Sequence, residues 1–381
     1  MAVVHVTARV PDSVALYAFL LNPIPEQLAA LDDAFSSLVH LLIRGGWTPL
    51  DVGEFARRRV REPAGAYLLG LVATETARHD PATVAPEWQA QLAGVQAVRG
   101  SADWARRTGL AWPDACAELI ELLAAFDSPP ALQVVMARPG HWRGTSAPIR
   151  GVDERMLAKV RALLAKAEST DFDEEADALT AKAQQLMTEH SIDRALAQST
   201  DPARPAPAAR RLGLDTPYAD AKAVLVDNVA RHNRASCIMT TYGFVTLVGF
   251  ADDLDTIELL TTSLLVQATR AMHLVGQATH SGMMRSRSFR RSFLLSYAAR
   301  IGERLAEAVA STESRADAER GGSLLPILAA RTQQVSSHVD DLFPHLVAKS
   351  FSSGNLAGWG AGRAAADLAR LQVHDEIERA G

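Results

Sequence analysis

The stretch KVRALLAKAESTDFDEEADALTAKAQQLMTEH, residues 159–190, is the most regular part of this 381-residue chain. Its apolar residues recur every three to four positions on both sides of a short polar break, which is the period of an amphipathic α-helix. Thr170 or Asp171 offers an N-cap for the second helix, and the acidic residues that follow suit the positive end of its dipole. The stretch therefore predicts two helices, 153–168 and 173–190, packed as an antiparallel hairpin.

Each predicted helix of the hairpin carries one apolar seam. The seam residues are Met156, Val160, Leu163, Leu164 and Ala167 on the first helix, and Ala176, Leu179, Ala183, Leu186 and Met187 on the second. Small residues in both seams, Ala167 on the first helix and Ala176 and Ala183 on the second, let the two helices approach closely. Packing alone accounts for this pattern, and no chemistry has to be invoked.

The hairpin resembles the domain of unknown function 2786, which is found in bacterial and phage proteins. The matching residues are Lys159, Leu163, Leu164, Ala167, Glu168, Glu175, Ala176, Lys182, Ala183, Leu186 and Met187. Later segments are similar to the region that usually follows this domain, namely VTLVGFADD (245–253), RSFRRSFLLSYAARIGERL (287–305) and GWGAGRAAADLARL (358–371). The family has no established activity, so the resemblance implies no catalytic residues.

The whole chain is predicted to be α+β and mainly α-helical. A helical N-terminal domain is expected over 1–130, the hairpin over 151–196 and a C-terminal domain of helices with a small antiparallel β-hairpin over 217–381. Two stretches rich in proline are expected to separate them, 127–151 and 197–217, the second as a solvated linker.

Individual elements follow from periodicity and end signals. Gly45 and Gly46 end a first helix, Thr48 caps the next, and Pro49 occupies its first position. The alternating, Thr- and Val-rich segment ASCIMTTYGFVTLVGF predicts the β-hairpin, with its turn at Tyr242 and Gly243. The helices are expected at 24–45, from 49, at 62–79 and 83–96, from 112, at 218–232, from 251, at 286–310 and at 359–378.

Composition limits the compartment and the partners. The net charge of −5 gives no global field that would attract nucleic acid or an anionic membrane, although a local basic patch stays possible. The two cysteines, Cys116 and Cys237, build no disulfide framework, and no apolar run is long enough to span a bilayer. No signal peptide is recognised. We expect a soluble cytoplasmic protein, and because only 5 of the 39 basic residues are lysine, a bacterial genome rich in GC.

Four arginines crowd the start of the predicted 286–310 helix. They are Arg285, Arg287, Arg290 and Arg291. A guanidinium group can donate two parallel hydrogen bonds to the oxygens of one phosphate, so the cluster is a candidate anion- or partner-binding site. The competing interpretation is a solvated helix end in an arginine-biased protein.

Two arginines of this helix lie close to its apolar side. At 100° per residue, Arg290 and Arg304 project near Phe293, Tyr297 and Ile301. A guanidinium held there needs a partner, either a carboxylate of the protein or an anion in a pocket. Arg304 therefore joins the four arginines at the helix start as a candidate binding residue.

Other motifs give weaker signals. The segment 41–60 could form a helix-turn-helix, but the start of its second helix, Pro49 to Val52, is poorly equipped to read bases. His232, Cys237, His273 and His280 have no metal-ligand spacing. The glycines of 354–362 lack the preceding strand of a dinucleotide fingerprint, and a GxSxG elbow and a P-loop are both missing. We therefore predict no catalytic residues, no metal and no cofactor.

Two functions remain open. The favoured one is a non-enzymatic binding protein that contacts nucleic acid or a protein partner, but no membrane, through the basic helix start. The alternative is an enzyme of unrecognised type whose site lies between the β-hairpin and the 286–310 helix. The environment of Arg290 and Arg304 should discriminate between the two.

Overall fold

The computed structural model describes residues 19, 23–144, 150–170, 172–199, 206–240, 242–278, 286–346 and 360–363. The chain divides into two compact units, Met1–Thr145 and Ser146–Gly381. The division falls inside the Pro- and Gly-rich stretch 127–151.

The described part of the first unit is helical. Its elements are α1 (Pro25–Arg44), α2 (Pro49–Arg57), α3 (Glu62–Thr76), a 3₁₀ turn (Pro81–Thr83), α4 (Pro86–Gln91), α5 (Ser101–Thr108) and α6 (Trp112–Ala125). The junction of α1 and α2 follows the end signals. Gly46 has a φ of +83°, and a Cβ there would lie 2.4 Å from the carbonyl oxygen of Leu132, so only glycine fits. The Thr48 hydroxyl accepts from the backbone N–H of Asp51, and Pro49 begins α2 as predicted.

Two predictions for the first unit are wrong. The helix expected over 83–96 is only the six-residue α4, because the chain leaves the helix at Leu92 and turns at Gly94, which has a φ of +81°. Helix α5 was not predicted at all. It buries only Ser101, Trp104 and Ala105, which is too short a stripe to give a clear period.

The second unit contains α7 (Arg150–Ser169), α8 (Asp173–Ser199), β1 (Ala208–Gly213), α9 (Ala219–His232), β2 (Ser236–Met239), β3 (Phe244–Gly249), α10 (Ala251–Ala278), α11 (Arg287–Glu319) and α12 (Leu324–Leu342). Helices α7 and α8 form the predicted hairpin. Val160, Leu164, Ala183 and Met187 are buried in a core that they share with α9, α10, α11 and β3. Leu163 and Leu186 pack against the same core. The fold is mainly α-helical with a small antiparallel sheet, as predicted.

The sheet has the strand order β1-β3-β2, and both pairings are antiparallel. The predicted hairpin is confirmed as β2 and β3, with Gly243 in the turn at a φ of +105°. The central strand β3 is buried along its whole length. The solvated linker predicted over 197–217 is wrong for much of its length. Helix α8 runs on to Ser199, and β1 pairs with β3 from Ala208↔Gly249 to Gly213↔Phe244.

Helix α12 has no counterpart among the predicted elements. It buries Leu324, Leu328, Arg331, Val335 and Val339 at helical spacing. The helix predicted over 359–378 is described only at 360–363, which is helical, and the rest of it lies outside the described residues. None of the described helices is both long enough and apolar enough to cross a membrane.

Candidate functional site

The arginine-rich start of α11 lies beside the start of α9. The Nε of Arg291 donates to Oδ2 of Asp220, on the first turn of α9, at 2.8 Å. Two turns further along both helices, the amide of Asn228 donates to the carbonyl oxygen of Ala298 at 2.7 Å. Because the partners advance together along the chain, α9 and α11 run parallel and their N-termini face the same way.

The N-terminus of an α-helix presents backbone N–H groups that lack intrahelical partners, together with the positive end of the helix dipole. Tyr218, which precedes α9, has a φ of +67° and supplies no side-chain cap. Helix α11 is capped by Ser286, whose Oγ accepts from the N–H of Phe289 at 3.2 Å. The first turn of α11 contains no acidic residue. The geometry therefore favours an anion at this end of the helix pair.

The four clustered arginines differ in their surroundings. Arg287 is exposed and Arg290 half-buried, and across the described ranges neither guanidinium lies within ion-pair distance of a carboxylate. Arg291 is neutralised by Asp220, which shares the same helix ends. Arg285 lies outside the described residues. The positive charge that remains available at this site is that of Arg287 and Arg290.

Arg304 belongs to a different place. It lies 13 residues after Arg291 on one helix, which separates the two Cα atoms by about 20 Å. Its Nη1 donates to Oδ1 of Asp177 on α8 at 2.5 Å. The candidate arginines therefore do not form one site. Arg304 has the internal carboxylate partner that its position at the apolar edge requires.

A small pocket of about 50 Å³ surrounds the Arg304–Asp177 pair at the break of the hairpin. Glu168 and Arg270 also line it. Nη1 of Arg270 donates to the carbonyl oxygens of Thr170 at 2.8 Å and Glu168 at 3.2 Å, so this guanidinium caps the end of α7. Two carboxylates balance two guanidinium groups in a space that holds a few water molecules. The arrangement ties the hairpin to α10 and α11.

The region in which the enzyme alternative placed its site is filled by a helix. Helix α9 packs against β2 and also against α11. Its residues Leu225, Val226 and Val229 are fully buried.

Of the four residues considered as metal ligands, His232, Cys237 and His273 lie in the described part of the chain. His273 is exposed on α10, and His280 lies outside the described residues. Burial raises the pKa of the Cys237 thiol. Burial and the nearby charge of Arg231 lower the pKa of His232. Within the described ranges, no group of three His, Cys, Asp or Glu side chains could hold a metal ion.

A polar network around α12 escaped the sequence analysis. Arg331, on α12, is 4% exposed and donates to the carboxylate of Asp253 at 2.8 Å and to the side-chain oxygen of Gln198. A signal was present in the sequence, because Arg331 interrupts the apolar repeat of Leu328 and Val335. An arginine on an apolar stripe is the same signal that identified Arg304.

Comparison with known proteins gives one match. No curated protein and no solved structure matches this chain. The matched residues span the hairpin, from the first turns of α7 to the last third of α8, and contribute Glu168 and Asp177 to the pocket around Arg304. Residues 155–194 match the family described as "Protein of unknown function (DUF2786)", so the helical hairpin is the part of this chain that relates it to that family.

Proposed function

We propose that this chain is a non-enzymatic binding protein that holds the phosphates of a nucleic acid at the paired starts of α9 and α11. The observation that carries the proposal is the placement of Arg287 and Arg290 at two aligned helix N-termini, where the first turn of α11 has no carboxylate. Asp220 offsets Arg291 but neither of the other two.

The energetics of the helix ends support an anionic partner. A cation in the first turn of a helix is unfavourable by about 0.3–1 kcal/mol, because it meets the positive end of the dipole. Arg287 and Arg290 therefore weaken the free protein slightly. A phosphate reverses the sign of this contribution, since it attracts the guanidinium groups and is favoured by the positive end of the helix dipole.

Contacts of this kind position a nucleic acid without reading its sequence. The net charge of −5 supplies no long-range attraction, so we expect binding that is local, modest in affinity and sensitive to salt. We also expect little preference among sequences.

Fluorescence anisotropy with a labelled DNA duplex and a labelled single strand tests the proposal. We expect the double variant Arg287→Ala/Arg290→Ala to bind less tightly and to lower the slope of log K against log salt by about 2 for the duplex. The control is Arg106→Ala/Arg107→Ala, which removes the same charge from an exposed pair on α5.

Unchanged binding in the double variant would refute the site. The absence of binding to either probe at low salt would refute the nucleic-acid partner. In that case, capture experiments with nuclease-treated extract should show whether an acidic protein is lost from the double variant but kept by the control.

A further inference from the structure

A second pocket, of about 260 Å³, lies where the end of α8 meets the start of α10 and the first half of α12. Its wall is mainly apolar, and the residues that matter here are Gln198, Phe250, Ile327, Ala330, Arg331 and Gln334. A cavity of about 150 Å³ can bind benzene, so this volume accepts a substituted ring. None of these residues takes part in the proposed phosphate site.

The floor of the pocket is a buried ion pair. The guanidinium of Arg331 lies 3.7 Å from the centre of the Phe250 ring and donates to Asp253, which is itself only 4% exposed. Buried pairs of this kind seldom stabilise a fold more than apolar residues of the same volume would. The pair does, however, fix the orientation of the neighbouring amide.

That amide belongs to Gln198. A guanidinium can only donate hydrogen bonds, so the Gln198 side chain must face Arg331 with its oxygen. Its NH₂ group is then directed elsewhere, and no protein partner for it is seen within the described residues. Because Gln198 is half-buried and lines the pocket, its NH₂ group is a hydrogen-bond donor at a mainly apolar wall.

The charges around the pocket determine which hydrogen-bond acceptor suits the NH₂ group of Gln198. Besides the Arg331–Asp253 pair, Arg194 pairs with Asp252 at 2.8 Å, and Arg234 pairs with Glu313. Each guanidinium in this corner thus has its own carboxylate. A ligand carboxylate would enter as an uncompensated charge next to acidic groups, which is costly in a half-buried site. An uncharged acceptor has no such cost.

We propose that this pocket binds a small, uncharged, mainly apolar molecule whose carbonyl oxygen accepts a hydrogen bond from the amide of Gln198. The apolar wall takes the body of the molecule, and the Arg331–Asp253 pair holds the donor in place.

Acetophenone is a suitable probe, because it has a ring and a carbonyl acceptor but no donor and no charge. An NMR titration of the full chain should give saturable binding that is at least about tenfold tighter than binding of benzoate. Gln198→Glu keeps an oxygen for Arg331 but replaces the donor, and should weaken acetophenone about tenfold, the loss of one well-placed hydrogen bond.

Two tryptophan substitutions localise the binding. Ala330 is exposed at the pocket wall, and Ala330→Trp should fill the space and abolish binding. Ala329 is exposed one position earlier and does not line the pocket, so Ala329→Trp should bind as the unmodified chain does. Three results would each overturn the proposal: no saturable binding of acetophenone, equal binding of benzoate, or binding that survives Ala330→Trp.

Discussion

The two units of this chain have the same arginine-rich composition but bury different residues. The first unit packs an aromatic cluster, in which the rings of Trp47 and Phe55 lie 5.1 Å apart and those of Phe55 and Phe126 4.7 Å apart. The arginines of its ion pairs are exposed, as in Arg106–Asp103, where the arginine side chain is 75% exposed.

The second unit has a mainly aliphatic core, and several of its arginines are buried. The side chains of Arg331, Arg300 and Arg234 are only 4%, 5% and 9% exposed. Buried charge costs several kcal/mol unless it is paired, so each of these arginines constrains the position of its partner. Composition therefore gives both units many arginines, but the packing of each unit determines whether an arginine is exposed or is buried in an ion pair.

The largest effect should come from the aromatic cluster. Trp47→Ala is expected to cost about 3–5 kcal/mol in the free energy of unfolding, because it empties a large fully buried site and removes the indole donor to the Pro130 carbonyl. Urea unfolding measures this cost. Trp142→Ala, at a half-buried position, serves as control and should cost clearly less. Similar losses for the two would mean that the aromatic cluster does not dominate this unit.

Breaking the buried Arg331–Asp253 pair of the second unit should lower the free energy of unfolding by a similar amount, but removing both charges should not. Asp253→Ala leaves Arg331 buried without its carboxylate and should cost about 3–5 kcal/mol. The double variant Asp253→Leu/Arg331→Met should regain most of this loss, since it removes both charges and keeps the volume. Chemical denaturation of the single and double variants measures both effects. A double variant as unstable as the single one would contradict the expectation that removing both charges restores stability.

The hairpin tests whether α7 is part of the aliphatic core. Leu164 is 3% exposed, and Leu164→Ala is expected to cost about 2–5 kcal/mol through the cavity that it leaves. Leu325, which is 51% exposed on α12, is the matched control, and Leu325→Ala should change stability by less than about 0.5 kcal/mol. Equal melting temperatures for the two variants would show that the hairpin seam contributes little.

The smallest effect on stability is expected at Arg290. Since this guanidinium has no carboxylate partner within the described residues, Arg290→Ala should leave the free energy of unfolding within about 0.5 kcal/mol of the unmodified chain. Arg304→Ala on the same helix breaks the pair with Asp177 and should cost more. If Arg290→Ala proved the more destabilising of the two, Arg290 would be a structural arginine and the proposed phosphate site would lose a member.

The local signals predicted much of the fold. The hairpin, the Thr48–Pro49 helix start and the β2–β3 pair follow from periodicity and end residues. Strand β1 did not, because its six residues, AARRLG, have neither β-branched nor aromatic side chains. β1 pairs with β3, a strand more than 30 residues later in the chain, and local sequence patterns do not predict such a contact. The ion pairs of Arg210 with Asp255 and Glu258 on α10 support this pairing.

The candidate site was predicted only in part. Helical periodicity gives the angle of a side chain around the axis, which correctly placed Arg290 and Arg304 near the apolar side. Periodicity does not identify which neighbouring helix packs against that side chain at each turn. The pairing of Arg291 with Asp220 depends on the parallel packing of α9 against α11, and that of Arg304 with Asp177 depends on the position of the hairpin. Neither contact can be predicted from the sequence of α11 alone.

The short sheet also has a bearing on solubility. Among the described residues, β1 and β2 are the two edge strands, and exposed strand edges are where a second chain can add and start an aggregate. Strand β2 is only four residues long, and β1 carries Arg210 and Arg211 in succession. The short length of β2 discourages such strand addition at that edge, whereas on β1 Arg210 is paired with Asp255 and Glu258 and Arg211 is buried. The buried, uncharged β3 lies between them, protected from intermolecular pairing at both sides.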